Sequence, residues 1–416
     1  MKFERGGRWR WTLIVLALCL VATVTLYRTH GWIWLGVPPI GEARMPFSDA
    51  AALLGAADFC NAGAGQWIGH VCYAPSADAI PYSLSYEPWL TFQRWGLRGD
   101  RYIEVSSILI GLFYVAFGLA FRPTHAGEAI LLLLFFFSAA VQLAVERANF
   151  DLLTSATLCL SAWLLGQRRA VFAMVGCMTL GFDTVLKLYA GLSCACAGIA
   201  RRSDRTLITL FALLCSIAAI AFLGVDTLFA LGQGAAEGGT RFSTGAHWLW
   251  RQRGITWMLA AATSALLVSA IAWRILRGAA APPWARYPRR TALMKIAFLT
   301  AIPLFLLKDS YDYRFVLWLP CLALPVALLR RSDLEASWRY FCIAILGVSA
   351  FVFCAELPCM LLDRFAAPGV QVFSSRLIEG ITLTKQVATW NIAGLLTVLF
   401  LLCVLERPAR TELRRS

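Results

Sequence analysis

Apolar runs of about 15 to 20 residues recur from Trp11 to Leu405, and no other feature restricts the fold of this chain as much. About 20 apolar residues carry a helix across the hydrocarbon core of a bilayer. In hydrocarbon every backbone N–H and C=O needs a partner within the protein, which leaves helices or closed barrels. These runs are continuous and lack the period-two alternation of barrel strands. Composition agrees, with 59% hydrophobic and 15% charged residues, against roughly 25% charged in a soluble domain. The sequence therefore predicts an all-α, polytopic transmembrane bundle of about twelve spans. It forms a single integral membrane domain over 1–416, with no soluble domain of any size.

A formal net charge of +14 over 416 residues does not point to nucleic acid, because the basic residues lie in short clusters between apolar runs. Such clusters encode topology, Lys and Arg being retained on the cytoplasmic side. With spans at 11–27, 103–121, 129–145, 152–166, 170–182, 190–200, 206–223, 254–273, 291–307, 315–329, 340–362 and 386–405, the connections on one side hold 22 Lys and Arg in 63 residues. Those on the other side (28–102, 146–151, 183–189, 224–253, 308–314 and 363–385) hold 15 in 148. Both termini are thus expected in the cytoplasm, and the long loop 28–102 outside, with shorter outer loops at 224–253 and 363–385. The basic MKFERGGRWR front, with no small-residue cleavage site after it, reads as an uncleaved anchor.

One hairpin is too short. Residues 170–200 give two crossings roughly 23 Å each at 1.5 Å per residue, against a core about 30 Å thick. The turn Asp183–Tyr189 should therefore lie below the outer surface, where irregular backbone survives only inside protein or beside a wet cavity. Most of the 13 cysteines sit in apolar runs as small hydrophobes. Cys60 and Cys72, together in the long loop, would form a disulfide if that loop meets an oxidising compartment. No Cys/His metal spacing occurs.

Four polar constellations share the outer side. The first is Ser48-Asp49, a helix N-cap and first-turn acid. Asp58, nine residues on, falls on the opposite face, so only one of the two can face a pocket. The others are Glu146-Arg147-Ala148-Asn149-Phe150-Asp151, then Asp183 with Lys187 and Tyr189, then Lys308-Asp309-Ser310-Tyr311-Asp312-Tyr313-Arg314. Each has a structural reading, as polar helix ends, interfacial anchors or, for Asp183 and Lys187, an i,i+4 ion pair. Together they include ionisable groups at membrane depth, which are costly and default to function. Arg147, Lys187, Lys308 and Arg314 suit a phosphate, and a phosphate held beside hydrocarbon is a lipid phosphate. Trp89, Phe92 and Trp95 of the long loop suit a short helix along the interface.

The early Asp of the long loop, ERANFDLLTSATLCLSAWLL, GFDTVLKLYAG and SYDYRFVLWLPCLALP, in this order over most of 40–330, resemble glycosyltransferase family 87. These are polyprenyl-phosphate-mannose-dependent mannosyltransferases of the membrane-embedded GT-C type. Where the family often shows Gly in an ERGN-type motif and Pro in a KxYP-type motif, this chain has Ala148 and Ala190. The resemblance implies helical hairpins with interfacial helices from the first outer loop. It implies Asp49 as catalytic base, with Arg147, Asn149, Asp151, Lys187, Tyr189, Lys308, Tyr311, Asp312 and Arg314 around the donor. It also implies a polyprenyl-phosphate sugar donor, a glycan or glycolipid acceptor, contact with membrane lipid and no nucleic acid. The place would be a bacterial inner (cytoplasmic) membrane with the active site outside. Inverting transfer from a lipid phosphomonoester calls for no cofactor and no metal. Two other classes stay open: a transporter or flippase for lipid-linked saccharides, and a non-catalytic membrane subunit.

Overall fold

The computed structural model describes residues 4–35, 37, 47–63, 66–68, 71–73, 84–86, 96–187, 190–200, 204–223, 243–244, 249, 253–279, 286–307, 310–365 and 371–405. All twelve apolar runs carry helix. The helices are α1 (Glu4–Thr29), α2 (Ser48–Asn61), α3 (Tyr102–Phe121), α4 (Ala126–Phe136), α5 (Ala139–Arg147), α6 (Asp151–Leu165), α7 (Ala170–Leu186) and α8 (Gly191–Ala195). They continue as α9 (Arg205–Leu223), α10 (Ile255–Arg277), α11 (Pro288–Leu307), α12 (Ala323–Leu329), α13 (Ala336–Cys354), α14 (Glu356–Phe365) and α15 (Gln371–Leu405). Among the described residues, six helical segments are long and apolar enough to cross a membrane: those on α1, α3, α9, α10, α13 with the start of α14, and α15. A seventh forms if α4 and α5, bent by 58°, count as one.

That bend shows how a broken helix survives in an apolar setting. The kink frees the carbonyl of Phe136, and the amide of Gln142 donates to it at 2.7 Å. Ser138 caps α5 by accepting the N–H of Val141 at 3.4 Å. The other end of the Gln142 amide accepts the indole N–H of Trp32 at 3.2 Å, so the kink is tied to the 3₁₀ turn Gly31–Leu35 that follows α1. One hydrophobic core runs from Val15 to Cys403.

Several expectations are corrected. The short hairpin does not return as a full helix: α8 and the 3₁₀ turn Ala197–Ala200 together rise roughly 15 Å. There Gly198 lies so close to α9 that a Cβ would stand 1.9 Å from the hydroxyl of Thr209. The run 315–329 is likewise broken, into 3₁₀ turns at Asp312–Leu317 and Leu319–Leu322 before α12. The all-α expectation misses a small sheet in the long loop, where β1 (Gln66–Ile68), β2 (Val71–Tyr73) and β3 (Leu84–Tyr86) pair antiparallel in that order beside the helix α2. Two-residue strands β4 (Ser243–Thr244) and β5 (Ser310–Tyr311) pair antiparallel, so the loop 224–253 reaches the turn before Arg314. Residues 87–95, with Trp89, Phe92 and Trp95, lie outside the described residues. Cys60 is disulfide-bonded; the side chain of Cys72, its expected partner, lies outside the described residues.

The expected loop 363–385 is mostly helix, because α15 begins at Gln371. Its polar residues argued against a membrane span, yet those from Gln371 on do not oppose helix, and buried Lys385 has a partner. Lys385 Nζ meets Glu356 Oε1 at 2.5 Å, with both side chains almost wholly buried. Removing one partner of such a pair strands the other charge, at about 3–5 kcal/mol. Lys385→Met should therefore destabilise the detergent-solubilised protein by about that much, and adding Glu356→Gln should restore most of it. Thermal unfolding of the two variants checks this; a wild-type melting point for Lys385→Met would refute it.

Candidate functional site

Two residues in left-handed backbone flank the first polar cluster. Ala148, at φ 46° and ψ 48°, ends α5. Its N–H bonds the carbonyl of Val145 at 3.0 Å, and the N–H of Asn149 bonds that of Ala144 at 3.0 Å. This is the Schellman arrangement, whose left-handed position normally takes glycine. It turns the chain sharply enough that Arg147 and Asn149 point at one partner. Phe47, at φ 64°, starts α2. Its N–H bonds the carbonyl of Glu146 at 2.6 Å, and its ring stacks on Tyr27 at 5.4 Å and meets Trp32 edge-on at 6.4 Å. Strained positions of this kind persist only where the surroundings over-determine them.

The shared partner is Asp49, buried in the first turn of α2. Its Oδ1 accepts from Arg147 Nε at 2.7 Å and lies 2.5 Å from Arg147 Nη2. Its Oδ2 accepts from Asn149 Nδ2 at 2.6 Å. Asp58 does not join them; its Oδ2 accepts the backbone N–H of Gly99 at 2.8 Å. The two acids thus face different ways, as their nine-residue spacing requires, and Asp49 is the one that faces the polar turn.

Asn149 carries the chain of contacts onward. Its Oδ1 accepts the backbone N–H of Asp151 at 2.8 Å, fixing the first residue of α6. Asp151, itself buried, stands between two cations, with Lys187 Nζ at 3.4 Å and Arg314 Nε at 3.7 Å. Both distances exceed the 2.7–2.9 Å of a tight charge-assisted hydrogen bond. Lys has three donors and Arg five, more than one carboxylate can take. Lys187 is 29% exposed and Arg314 18%, so each side chain is partly accessible beside the buried Asp151. Asp183 lies behind them, fully buried, accepting the hydroxyl of Thr154 at 3.0 Å.

The structure thus brings together Asp49, Arg147, Asn149, Asp151, Lys187 and Arg314, from four separate stretches of chain. Tyr189 and Lys308 lie outside the described residues. Tyr311 and Asp312 have described backbone, in β5 and the following 3₁₀ turn, while their side chains lie outside the described residues. The i,i+4 reading of Asp183 with Lys187 gives way to a contact across the hairpin, from Lys187 to Asp151. Sequence reasoning missed Thr154 and the Phe47 anchor. A threonine inside an apolar run opposite a buried Asp was the available signal for the first. Among the described residues no cluster of three or more His, Cys, Asp or Glu side chains is placed to hold a metal ion. Comparison with known protein families, curated proteins and solved structures finds no match to this chain.

The cost of Ala148 can be tested. Glycine there would relieve about 1–2 kcal/mol of left-handed strain but lose a buried methyl worth about 0.8 kcal/mol. Ala148→Gly should therefore leave the melting temperature nearly unchanged. Ala148→Val puts a branched side chain in the same backbone and a filled space, and should cost about 3 kcal/mol. Equal melting points for the Gly and Val variants would mean that Ala148 does not constrain this turn.

Proposed function

We propose that the protein is a membrane glycosyltransferase related to glycosyltransferase family 87, with a GT-C-like bundle that passes the bilayer about twelve times, several passes being short or broken. It moves a hexose, mannose by the resemblance, from a polyprenyl phosphate to a glycan or glycolipid acceptor on the outer face of a bacterial cytoplasmic membrane, both termini lying inside. The observation that carries this reading is the convergence of three hairpin tips and α2 on one ladder of cations and carboxylates. The ladder runs from Arg147 through Asp49, Asn149 and Asp151 to Lys187 and Arg314.

In this reading the donor's phosphate sits against Lys187 and Arg314. An acceptor hydroxyl attacks the anomeric carbon from the opposite face while Asp49 takes its proton. A bond forms from the acceptor oxygen to that carbon as the carbon's bond to the phosphate oxygen breaks, and the configuration inverts. The lipid phosphate departs with the electron pair, so the leaving group needs stabilising cations and no proton. Transfer of labelled mannose from a short-chain polyprenyl phosphate mannose by the purified protein tests this. Asp49→Asn should lower the rate about 10²–10⁴-fold, the worth of a general base. Lys187→Met should lower it about 10²-fold or more. Full activity in Asp49→Asn would remove the base assignment. Absence of transfer from any monophosphate donor, with transport of lipid-linked saccharide in vesicles, would replace the enzyme by a transporter.

One observation favours a second reading of Asp49. Both of its oxygens are already engaged by Arg147 and Asn149, which suits a positioning residue or a non-catalytic subunit. The pH profile separates the roles. A base that takes the acceptor's proton gives the pH profile an acid limb, which residual activity in Asp49→Asn should lose. An unchanged limb in the variant would make Asp49 a clamp.

A further inference from the structure

A large cavity lies away from this site. It is a groove of about 1260 Å³ between α3, α6 and the start of α11. It runs down α6 from Leu153 to Gly166, so its far end stands roughly 20 Å from Asp151 at 1.5 Å per residue. Its walls include Leu112, Val115, Leu119, Leu160 and Trp163, all more than two-fifths exposed. An apolar groove of this kind opens on the surface that faces hydrocarbon. Its far end is collared by Arg122, Arg168, Arg169, Arg286, Arg289, Arg290 and Arg330.

Part of the collar is fixed to the protein. Arg330 pairs with Glu128, its Nη2 reaching Oε2 at 2.8 Å, and Arg290 donates to the carbonyl of Phe121 at 2.5 Å. Two more are held over aromatic rings. Arg122 lies 5.0 Å from the ring centroid of Trp9, and Arg289 lies 5.6 Å from that of Trp163. Burial first, then the neighbouring charge of Arg289, pulls Arg122 below the usual guanidinium range. Glu128 beside Arg330 and Asp333 near Arg286 are fewer than the seven arginines of the collar, so an anion at this end would relieve the remaining crowding of like charge.

We infer that this groove is a binding site for an anionic glycerophospholipid of the cytoplasmic leaflet, with its phosphate among Arg122, Arg289 and their neighbours and its acyl chains along α3 and α6. Charge complementarity selects the occupant. The collar belongs to the connections whose density of Lys and Arg marks the cytoplasmic side, where anionic phospholipids concentrate and basic pockets between helices take their headgroups. The spread of seven guanidinium groups suits a headgroup that slides among several donors better than one fixed phosphate. The inference is independent of the transferase reading, since it uses none of that site's residues.

The test is native mass spectrometry of the full chain released from nanodiscs, with dioleoylphosphatidylglycerol and dioleoylphosphatidylcholine as probes in equal amounts. Wild type should retain phosphatidylglycerol preferentially. The double variant Arg122→Gln/Arg289→Gln should bind it about tenfold or more weakly, each basic contact near the surface contributing to the attraction. Ala116→Trp, which fills the groove and leaves the collar intact, should also lose the adduct. Arg274→Gln/Arg277→Gln, removing two arginines of α10 outside the collar, should retain it. A thermal melt without added lipid confirms that each variant is folded. Equal retention of the two lipids, or equal loss in the α10 variant, would overturn the site. Displacement of phosphatidylglycerol by a polyprenyl phosphate at equal concentration would overturn the choice of occupant.

Discussion

Burial of Asp49 between Arg147 and Asn149 is the interaction on which the polar cluster of this molecule depends. A carboxylate taken out of water is stable only if its charge is met and its lone pairs are used. Here one arginine and one amide do both, and they come from two successive positions around a single left-handed residue. The same contact joins a helix of the long loop to the turn between α5 and α6. It thereby fixes Asn149, which in turn sets the first peptide of α6 and the position of Asp151. Remove the carboxylate and the guanidinium is the buried charge left over, so the two partners stand or fall together.

Much of this was legible in the sequence, and the reason is specific. Hydrocarbon allows few structures, so each apolar run marked a helical stretch, while α2 and the start of α15 lay outside the runs. Polar residues that interrupt such runs are expensive, so Arg147, Asp151, Lys187 and Arg314 announced themselves before any fold was known. The nine-residue offset of Asp49 and Asp58 said that one of them must turn away. Illegible were the contacts between distant segments. Nothing local says that Lys187 crosses to Asp151, or that Phe47 takes a left-handed conformation to reach Glu146. Breaks inside runs were hidden too, because the kink at Phe136 rests on the Gln142 amide six residues further on. The helix over 371–385 was missed because polar residues were read as loop, while helix itself is indifferent to them once Lys385 has Glu356.

The two cationic regions share α6. One lies at its first residue, where Asp151 meets Lys187 and Arg314, and one just past its last turn, where Arg289 stands over Trp163. They differ in build. At the first, two cations are interleaved with buried carboxylates, so the net charge is small and direction is strict. At the second, seven arginines meet little negative charge, so attraction is strong and direction loose. The first arrangement suits a ligand that must be presented for reaction, the second one that has only to stay.

The stacking of Phe47 on Tyr27 bears on how freely the first helix may be exchanged. An N-terminal anchor is often thought of as a tether that any apolar helix could replace. Here the last turns of α1 supply a ring on which the start of α2 rests, and the turn after α1 supplies Trp32 to the amide that holds the α4–α5 kink. A foreign helix of equal length and hydropathy would still remove two supports from beneath the polar cluster. In this protein a helix whose composition suits a bilayer is also part of the floor under that cluster.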